Sequence, residues 1–463
     1  QSQKTPWRWS GAKEVQIQEI DEMKARTPKG TRDFNARELA KRHHVTSVIQ
    51  SAFKRYGYAP LETPSFELSE TLMGKYGEEG DRLIFKLLKS GNFMRSVAEG
   101  ATPKASDIID KALRYDLTVP FARYVVENFG QLPMPFKRYQ IQPVWRADKP
   151  QKGRFREFYQ CDADVVGSQS LWQEVELVNL YAEVFEALNL AVVIRLNHRG
   201  ILSGIAEMAG VGDRLTEFTV ALDKLDKIGQ EGVVAELKDR GFSDDAIKKL
   251  SPALIPARSM DESLTALDGW FEGSEMGLKG IEDLRFILQH INSNIKVSLD
   301  ISLARGLNYY TGCILEVNPV GLDMGSVGGG GRYDNLTGIF GKEGLSGVGI
   351  SFGLDRIIMS LEELGQMPDG IVSCPQVLVL NQSDAEYAFK TCMALREAGI
   401  DADFYPDSAK MKKQFAYAEQ RQIPWVIYAG EREAAESRVV LKHLADGTQT
   451  NLSIAAAIEQ LKP

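Results

Sequence analysis

Cysteine is scarce: Cys161, Cys313, Cys374 and Cys392 are the only four in 463 residues, and no two form a CxxC pair. That spacing suggests neither a zinc site nor a redox pair. The four read as reduced thiols of a cytosolic protein. No stretch approaches the roughly 18 consecutive apolar residues of a membrane span; Val377-Leu378-Val379-Leu380 is typical of the longest aliphatic runs. Basic excess is absent too. Acidic residues outnumber basic ones, 63 to 55, for a net charge of -8, which argues against coating nucleic acid by bulk charge but leaves room for a local basic site. Histidine occurs five times, and no Ser-His-Asp set can be assembled. Neither GxxxxGK[ST] nor GxGxxG is present, so no standard phosphate loop is available.

What remains is an ordinary globular composition, 43% apolar and 25% charged, with length for two to four domains. Residues 1–22 are polar and lack the apolar centre of a secretory signal; Met23 is a candidate start, and 1–27 reads as an N-terminal extension. The pattern predicts a helix over 35–56 ending at Gly57, then an extended run from Tyr58 to Phe66. Residues 115–167 read mostly as strands and 200–295 as a helical insertion broken by Pro252 and Pro256. Strands and glycines return from Val297 to Phe352, with a helix over Leu354–Leu364 and a linker over Gly365–Pro375. Beyond it, Val377–Asn381, Asp384–Ala398, Ala402–Tyr405, Met411–Arg421 and Trp425–Ala429 alternate strand and helix, followed by a strand at Val439–Leu444. That order predicts a small parallel sheet of its own.

Two strands carry the clearest chemistry. In Phe136–Arg146, one parity is Arg138, Gln140, Gln142, Val144 and Arg146. In Arg156–Val166, one parity is Arg156, Phe158, Gln160, Asp162 and Asp164. Side chains alternate faces along a strand, so each has one apolar and one polar face. An exposed hairpin would look the same, but the loop Ala147–Arg154 is long and rich in cations, which suits a polyphosphate. A second hairpin is expected from Val297–Leu303 through Arg305-Gly306 to Tyr309–Val317. The run Gly328-Gly329-Gly330-Gly331 reads as a flexible loop. Arg356 falls in the first turn of the helix after Gly353, where a cation opposes the helix dipole. An anionic ligand would relieve that, and so would a salt bridge to Asp355 or Glu362.

Taken together, these segments resemble the class II aminoacyl-tRNA synthetases, and among them the histidyl-tRNA synthetase family. The resemblance covers nearly everything from Pro28 onward. Pro28-Lys29-Gly30-Thr31-Arg32-Asp33-Phe34 matches the family's N-terminal signature, and the stretch around Pro64 looks like motif 1. Val144–Gly167 looks like motif 2 and Gly347–Ile357 like motif 3. Leu303–Gly312 and Gly329–Asp334 look specific to the histidine enzymes. The resemblance implies an α+β catalytic domain over 28–370 with an antiparallel six-stranded sheet, flanking helices and an insertion at about 200–295. It also implies a C-terminal α/β anticodon-binding domain over 375–463 with a small, mainly parallel sheet.

The implied activity is histidine–tRNA ligation. L-histidine is activated by ATP with Mg²⁺ and passed to tRNA(His) by a cytoplasmic homodimer with no membrane attachment. By the same resemblance, Asp116, Thr118 and Gln160 would hold the α-amino group, with the Leu117 backbone lining the site. Asp164 and Tyr310 would read the imidazole, with Tyr309 beside them. Arg146 would bridge the histidine carboxylate and the α-phosphate, opposite Arg305, making these two the catalytic pair. Arg154 and Arg356 would hold the rest of ATP. Asp116 stands where many bacterial members have Glu, so the carboxylate is kept one methylene shorter. Two other readings stay open: a histidine- or tRNA-binding regulator on the same scaffold, and a synthetase for another amino acid. ATP–pyrophosphate exchange across all amino acids separates them.

Overall fold

The computed structural model describes residues 25–95, 97, 101–254, 260–292, 294–304, 310–368, 370–371 and 374–462. The predicted N-terminal helix is present as Ala36–Arg55. It is opened by a capping box between Asn35 and Glu38 and closed by Gly57 at φ 79°, a conformation in which only glycine escapes a Cβ penalty.

Among the described residues eleven strands follow before residue 354: β1 (Ala59–Pro60), β2 (Phe66–Leu68), β3 (Lys86–Leu88), β4 (Ile109–Leu113), β5 (Phe136–Trp145), β6 (Glu157–Val166), β7 (Val192–His198), β8 (Val297–Leu299), β9 (Cys313–Pro319), β10 (Gly328–Tyr333) and β11 (Gly347–Gly353). Eight of them form one sheet in the order β1-β5-β6-β11-β10-β9-β7-β8, while β2-β4-β3 form a small separate sheet. The expectation of six antiparallel strands is two strands short. The central six are antiparallel, but β1 joins β5 in parallel and β8 joins β7 in parallel. The sheet is therefore mixed. Both added strands are edge strands of two or three residues, too short to leave a periodic signal.

Three further expectations are corrected. The stretch 115–167 is not mostly strand: strands occupy only Phe136–Trp145 and Glu157–Val166, and Thr118–Glu127 is a helix. Its Val119, Phe121, Ala122 and Val125 are all buried, so its apolar content resembled a strand, and Pro120 falls in the first turn, where a missing N–H costs nothing. The 297–317 hairpin does not form either. β8 and β9 lie on opposite sides of β7, and Asn197 of β7 holds the connection by donating to the Ile301 and Leu303 carbonyls at 3.0 Å. The glycine run, finally, is strand β10 rather than a flexible loop. A Cβ at Gly330 would lie 2.2 Å from the Gly349 carbonyl oxygen, and one at Gly331 2.6 Å from that of Cys313. Close strand packing thus requires glycine there.

The apolar parity of β5 and β6 faces the main core. Tyr139, Cys161, Ala163 and Val165 pack with Val45, Ile49 and Phe53 of the first helix and with Val178 and Tyr181 of the helix Trp172–Ala187. The same helix anchors β10 through a buried bidentate pair, Arg332 to Glu174 at 2.5 and 2.6 Å. The expected helical insertion comprises helices between Arg199–Met208 and Glu275–His290.

The C-terminal region has β12 (Val377–Leu380), β13 (Ala402–Phe404), β14 (Trp425–Tyr428), β15 (Arg438–His443) and β16 (Gln449–Ser453), in the order β13-β12-β14-β15-β16. The three strands of the expected βαβαβ unit are parallel, while β15 and β16 add antiparallel partners. All four residues of β12 are buried, as both-face coverage requires.

Candidate active site

The polar faces of β5 and β6 are not wet. Register pairs Arg138 with Asp164, Gln140 with Asp162 and Gln142 with Gln160, and Arg138, Gln140, Asp162 and Asp164 are all buried. On the other side of β6, Gly349 lies opposite Asp164 and Ser351 opposite Asp162. Beyond them come Gly331 and Gly329 of β10. Two cross-sheet rows thus run from a polar side chain to a glycine. The missing side chains leave a cavity of about 320 Å³, lined by Asp116, Thr118, Gln160, Asp162, Asp164, Tyr310, Gly329, Gly330, Tyr333, Gly349, Ile350 and Ser351.

Five of the residues implied by resemblance meet here: Asp116, Thr118, Gln160, Asp164 and Tyr310. Asp116 precedes the helix Thr118–Glu127, and its Oδ1 accepts from the Val119 amide at 3.1 Å and from the Tyr76 hydroxyl at 2.8 Å. Leu117 is buried behind the cavity, and its carbonyl accepts from Arg138 Nη2 at 3.1 Å. That same nitrogen lies 2.8 Å from Asp164 Oδ2. Asp164 Oδ1 accepts from the Tyr333 hydroxyl at 2.7 Å. Gln160 Nε2 donates to the Ser351 hydroxyl at 3.1 Å. Asp162, Tyr333, Ser351 and the glycines were not anticipated as site residues. Asp162 could have been, since it shares the polar parity of Gln160 and Asp164.

Electrostatics follow from burial. Desolvation raises the Asp162 carboxyl to about 7; Arg138 opposes this and the carboxylates of Asp164 and Asp116 add to it. Asp164 is shifted upward too, again chiefly by burial, against the pull of Arg138 and Tyr333. Burial and these same acids push the Tyr310 phenol well above its ordinary value, and Arg146 partly offsets the rise. A cavity lined by three carboxylates, with the one buried guanidinium, Arg138, held on Asp164 outside the lining, favours a ligand that brings positive charge.

The cationic residues lie outside the cavity lining. Arg146, just past β5, donates from Nε to the Tyr115 carbonyl at 3.0 Å, and its guanidinium sits 4.3 Å from the Tyr115 ring and 5.2 Å from that of Phe158. Arg154 is on the loop between β5 and β6, 3.4 Å from Asp148. Arg356 reaches the same loop, donating to the Gly153 carbonyl and to that of Ser326, each at 2.8 Å. The alternative partners for Arg356 are engaged elsewhere: Asp355 binds Arg32 and Arg42, and Glu362 binds Lys41. Arg305 and Tyr309 lie outside the described residues.

A family model described as histidyl-tRNA synthetase matches residues 30–357, about seven tenths of the chain. The chain belongs to the histidyl-tRNA synthetase family. A second model, an anticodon binding domain, matches residues 376–463. The chain is 55% identical to a histidine–tRNA ligase of Christiangramia forsetii, with 94% of this chain and 98% of the relative aligned. It is 50% identical to one of Flavobacterium johnsoniae, with 92% and 96% aligned. The crystal structure of a histidyl-tRNA synthetase from Nostoc sp. PCC 7120 superposes with a TM-score of 0.78 at 30% identity, covering 95% of this chain and 99% of that one. These matches support a synthetase of the histidyl family, not a regulator and not an enzyme for another amino acid.

Proposed function

We propose that the β5–β6–β11–β10 cavity binds L-histidine and that the arginines beside it drive its adenylation. The chain acts as a histidine–tRNA ligase by family membership; the residue roles are our reading. The observation that carries it is the buried acidic cavity with a phenol and a carboxylate facing one another. Imidazole presents two nitrogens, and Asp164 and Tyr310 can satisfy both. A ligand without those nitrogens would leave buried polar groups unpaired, which penalises it strongly. Asp116, Thr118 and Gln160 take the α-amino group, with Leu117 lining the site through its backbone and Tyr309 beside Tyr310.

No protein nucleophile is needed. The histidine carboxylate attacks the α-phosphorus of ATP and pyrophosphate leaves in line. Charge grows on phosphoryl oxygens, where preorganised cations lower the barrier. Arg146 and Arg305 act there, while Arg154 and Arg356 hold the outer phosphates and adenine. ATP enters as its Mg²⁺ complex. Such an ion keeps much of its water and rides on the substrate phosphates. The tRNA terminal ribose hydroxyl then attacks the adenylate carbonyl. Pyrophosphate exchange across all twenty amino acids tests the reading: histidine alone should support it, and exchange with a different amino acid would refute it.

Residues 375–463 read the anticodon, and the catalytic unit extends over 28–370. Deleting 375–463 should leave adenylation within about twofold while charging of tRNA drops about tenfold, because the lost contacts are to unpaired bases. Normal charging by the shortened, folded enzyme would reject this. We further infer a homodimer through the segment around Pro64. Phe66, Leu68 and Leu88 of the small sheet are about half exposed, a cluster that a monomer would rarely leave in water. Phe66→Glu should shift the mass measured by light scattering toward one chain; an unchanged mass would exclude this face. No described helix is long and apolar enough to cross a membrane.

A further inference from the structure

We propose that Asp162 receives the α-ammonium group of the substrate, as a third cavity carboxylate, and thereby sets the requirement for an amino acid. The proposal rests on the reading of the cavity as a histidine pocket. Asp162 lines the cavity and is 2% exposed, and its Oδ1 has no hydrogen-bond partner among the described residues. A buried carboxylate oxygen without a donor is costly and rare, and each such group calls for a cause. The other two acids are better supplied. Asp116 accepts from Tyr76 and the Val119 amide, and Asp164 accepts from Tyr333 with Arg138 beside it. Asp164 Oδ2 also lacks a hydrogen-bond donor but has Arg138 Nη2 at 2.8 Å, whereas the Asp162 side chain is bonded to Ser351 and its Oδ1 has neither a donor nor an ion pair among the described residues.

An ammonium brings one charge and three N–H donors, and no acceptor. Gln160 Oε1, two residues away on the same strand face, is also buried without a partner, and Asp116 completes a set of three oxygen-bearing side chains. A neutral imidazole, already matched by Asp164 and Tyr310, has no use for a third acid. The charged and titratable groups facing Asp162 are Arg138 from β5, Asp164 from its own strand, Asp116 from the start of the helix Thr118–Glu127, and the phenols of Tyr310 and Tyr181. Only one of these is cationic. The alternative is that Asp162 is structural, held by Ser351 and Arg138 for the sake of the sheet.

Three compounds separate the two, used with the full chain. Histidine and histidinol carry both ammonium and imidazole; 3-(imidazol-4-yl)propionate lacks the ammonium. In equilibrium titrations, Asp162→Asn should weaken histidine and histidinol by about tenfold or more, the loss expected for a charge-assisted bond. Binding of the propionate should stay within about twofold, and the melting temperature of the free protein should not fall. Equal losses for all three compounds, or no loss for any, would overturn the proposal. If Asp162→Asn does not fold, Asp162→Ser is titrated instead, and failure of both to fold makes the residue structural and ends the proposal. Wild-type protein that binds none of the three would instead overturn the histidine reading itself.

Discussion

Arg146→Ala lowers the single-turnover rate of histidyl-adenylate formation by roughly 10²–10³, the range for removing one preorganised donor from an oxyanion. The preorganisation is visible. Nε is fixed on the Tyr115 carbonyl at 3.0 Å and the guanidinium lies 4.3 Å from the Tyr115 ring and 5.2 Å from that of Phe158, so it needs little rearrangement as charge develops. Tyr115 directly precedes Asp116, which ties the arginine to the amino-acid cavity. Because Arg146 also meets the ground-state carboxylate, histidine KM should rise along with the fall in rate. Arg305→Ala serves as the comparison. If Arg305 touches only the α-phosphate, kcat should fall by a similar factor with histidine KM little changed, since its charge partner develops during the reaction. Lysine at either position should rescue only in part, keeping the charge but not the planar fork. Pre-steady-state kinetics beside a melting curve decide the matter. An unchanged rate per folded molecule in Arg146→Ala would remove it from the chemistry.

The site was legible where the strand period exposed it. Alternation along 136–146 and 156–166 placed Gln160, Asp162 and Asp164 on one face, and the structure adds that Arg138 and Gln140 share it across the register. Nothing local could say that this face is buried. That depends on β11 being laid beside β6, and β10 beside β11; the β6–β11 pairing joins residues 181 to 193 positions apart in the chain. The glycine run failed for the same reason. Local propensity reads Gly328–Gly331 as flexible, whereas the need for glycine is set by the Gly349 and Cys313 carbonyls on the neighbouring strands. The order β9-β7-β8 was hidden because sequence adjacency favours a hairpin, while Asn197 holds the 300–304 connection over β7. The C-terminal βαβαβ unit was legible because short strands and helices alternate there at short range, with the central strand β12 fully buried. Its last antiparallel strand, Gln449–Ser453, is almost entirely polar and exposed and so leaves no apolar signal.

Gly349→Ala tests whether the cavity depends on an absent side chain. A Cβ there would lie 2.0 Å from Asp164 Oδ1, 2.5 Å from its Cγ and 3.0 Å from the Ala163 carbonyl oxygen. Asp164 cannot yield cheaply, because the same Oδ1 holds the Tyr333 hydroxyl and Arg138 sits on the other oxygen. Either the carboxylate turns and breaks the Tyr333 bond, or β11 moves away from β6. Both outcomes disturb the group proposed to read imidazole. Histidine KM in pyrophosphate exchange should rise by about 10², the size of a lost charge-assisted bond in a buried pocket. ATP KM should stay within about twofold, as the ATP-side arginines lie outside this row. Overpacking should cost about 1–3 kcal/mol of stability. Asp164→Ala is itself destabilising, because it unpairs the buried Arg138, but it removes the clash, so Gly349→Ala should cost less stability in that background than in the wild type while histidine binding stays weak. This non-additivity is the mark of two groups in direct contact. Unchanged histidine KM in Gly349→Ala would mean that the Asp164 carboxylate does not face the substrate.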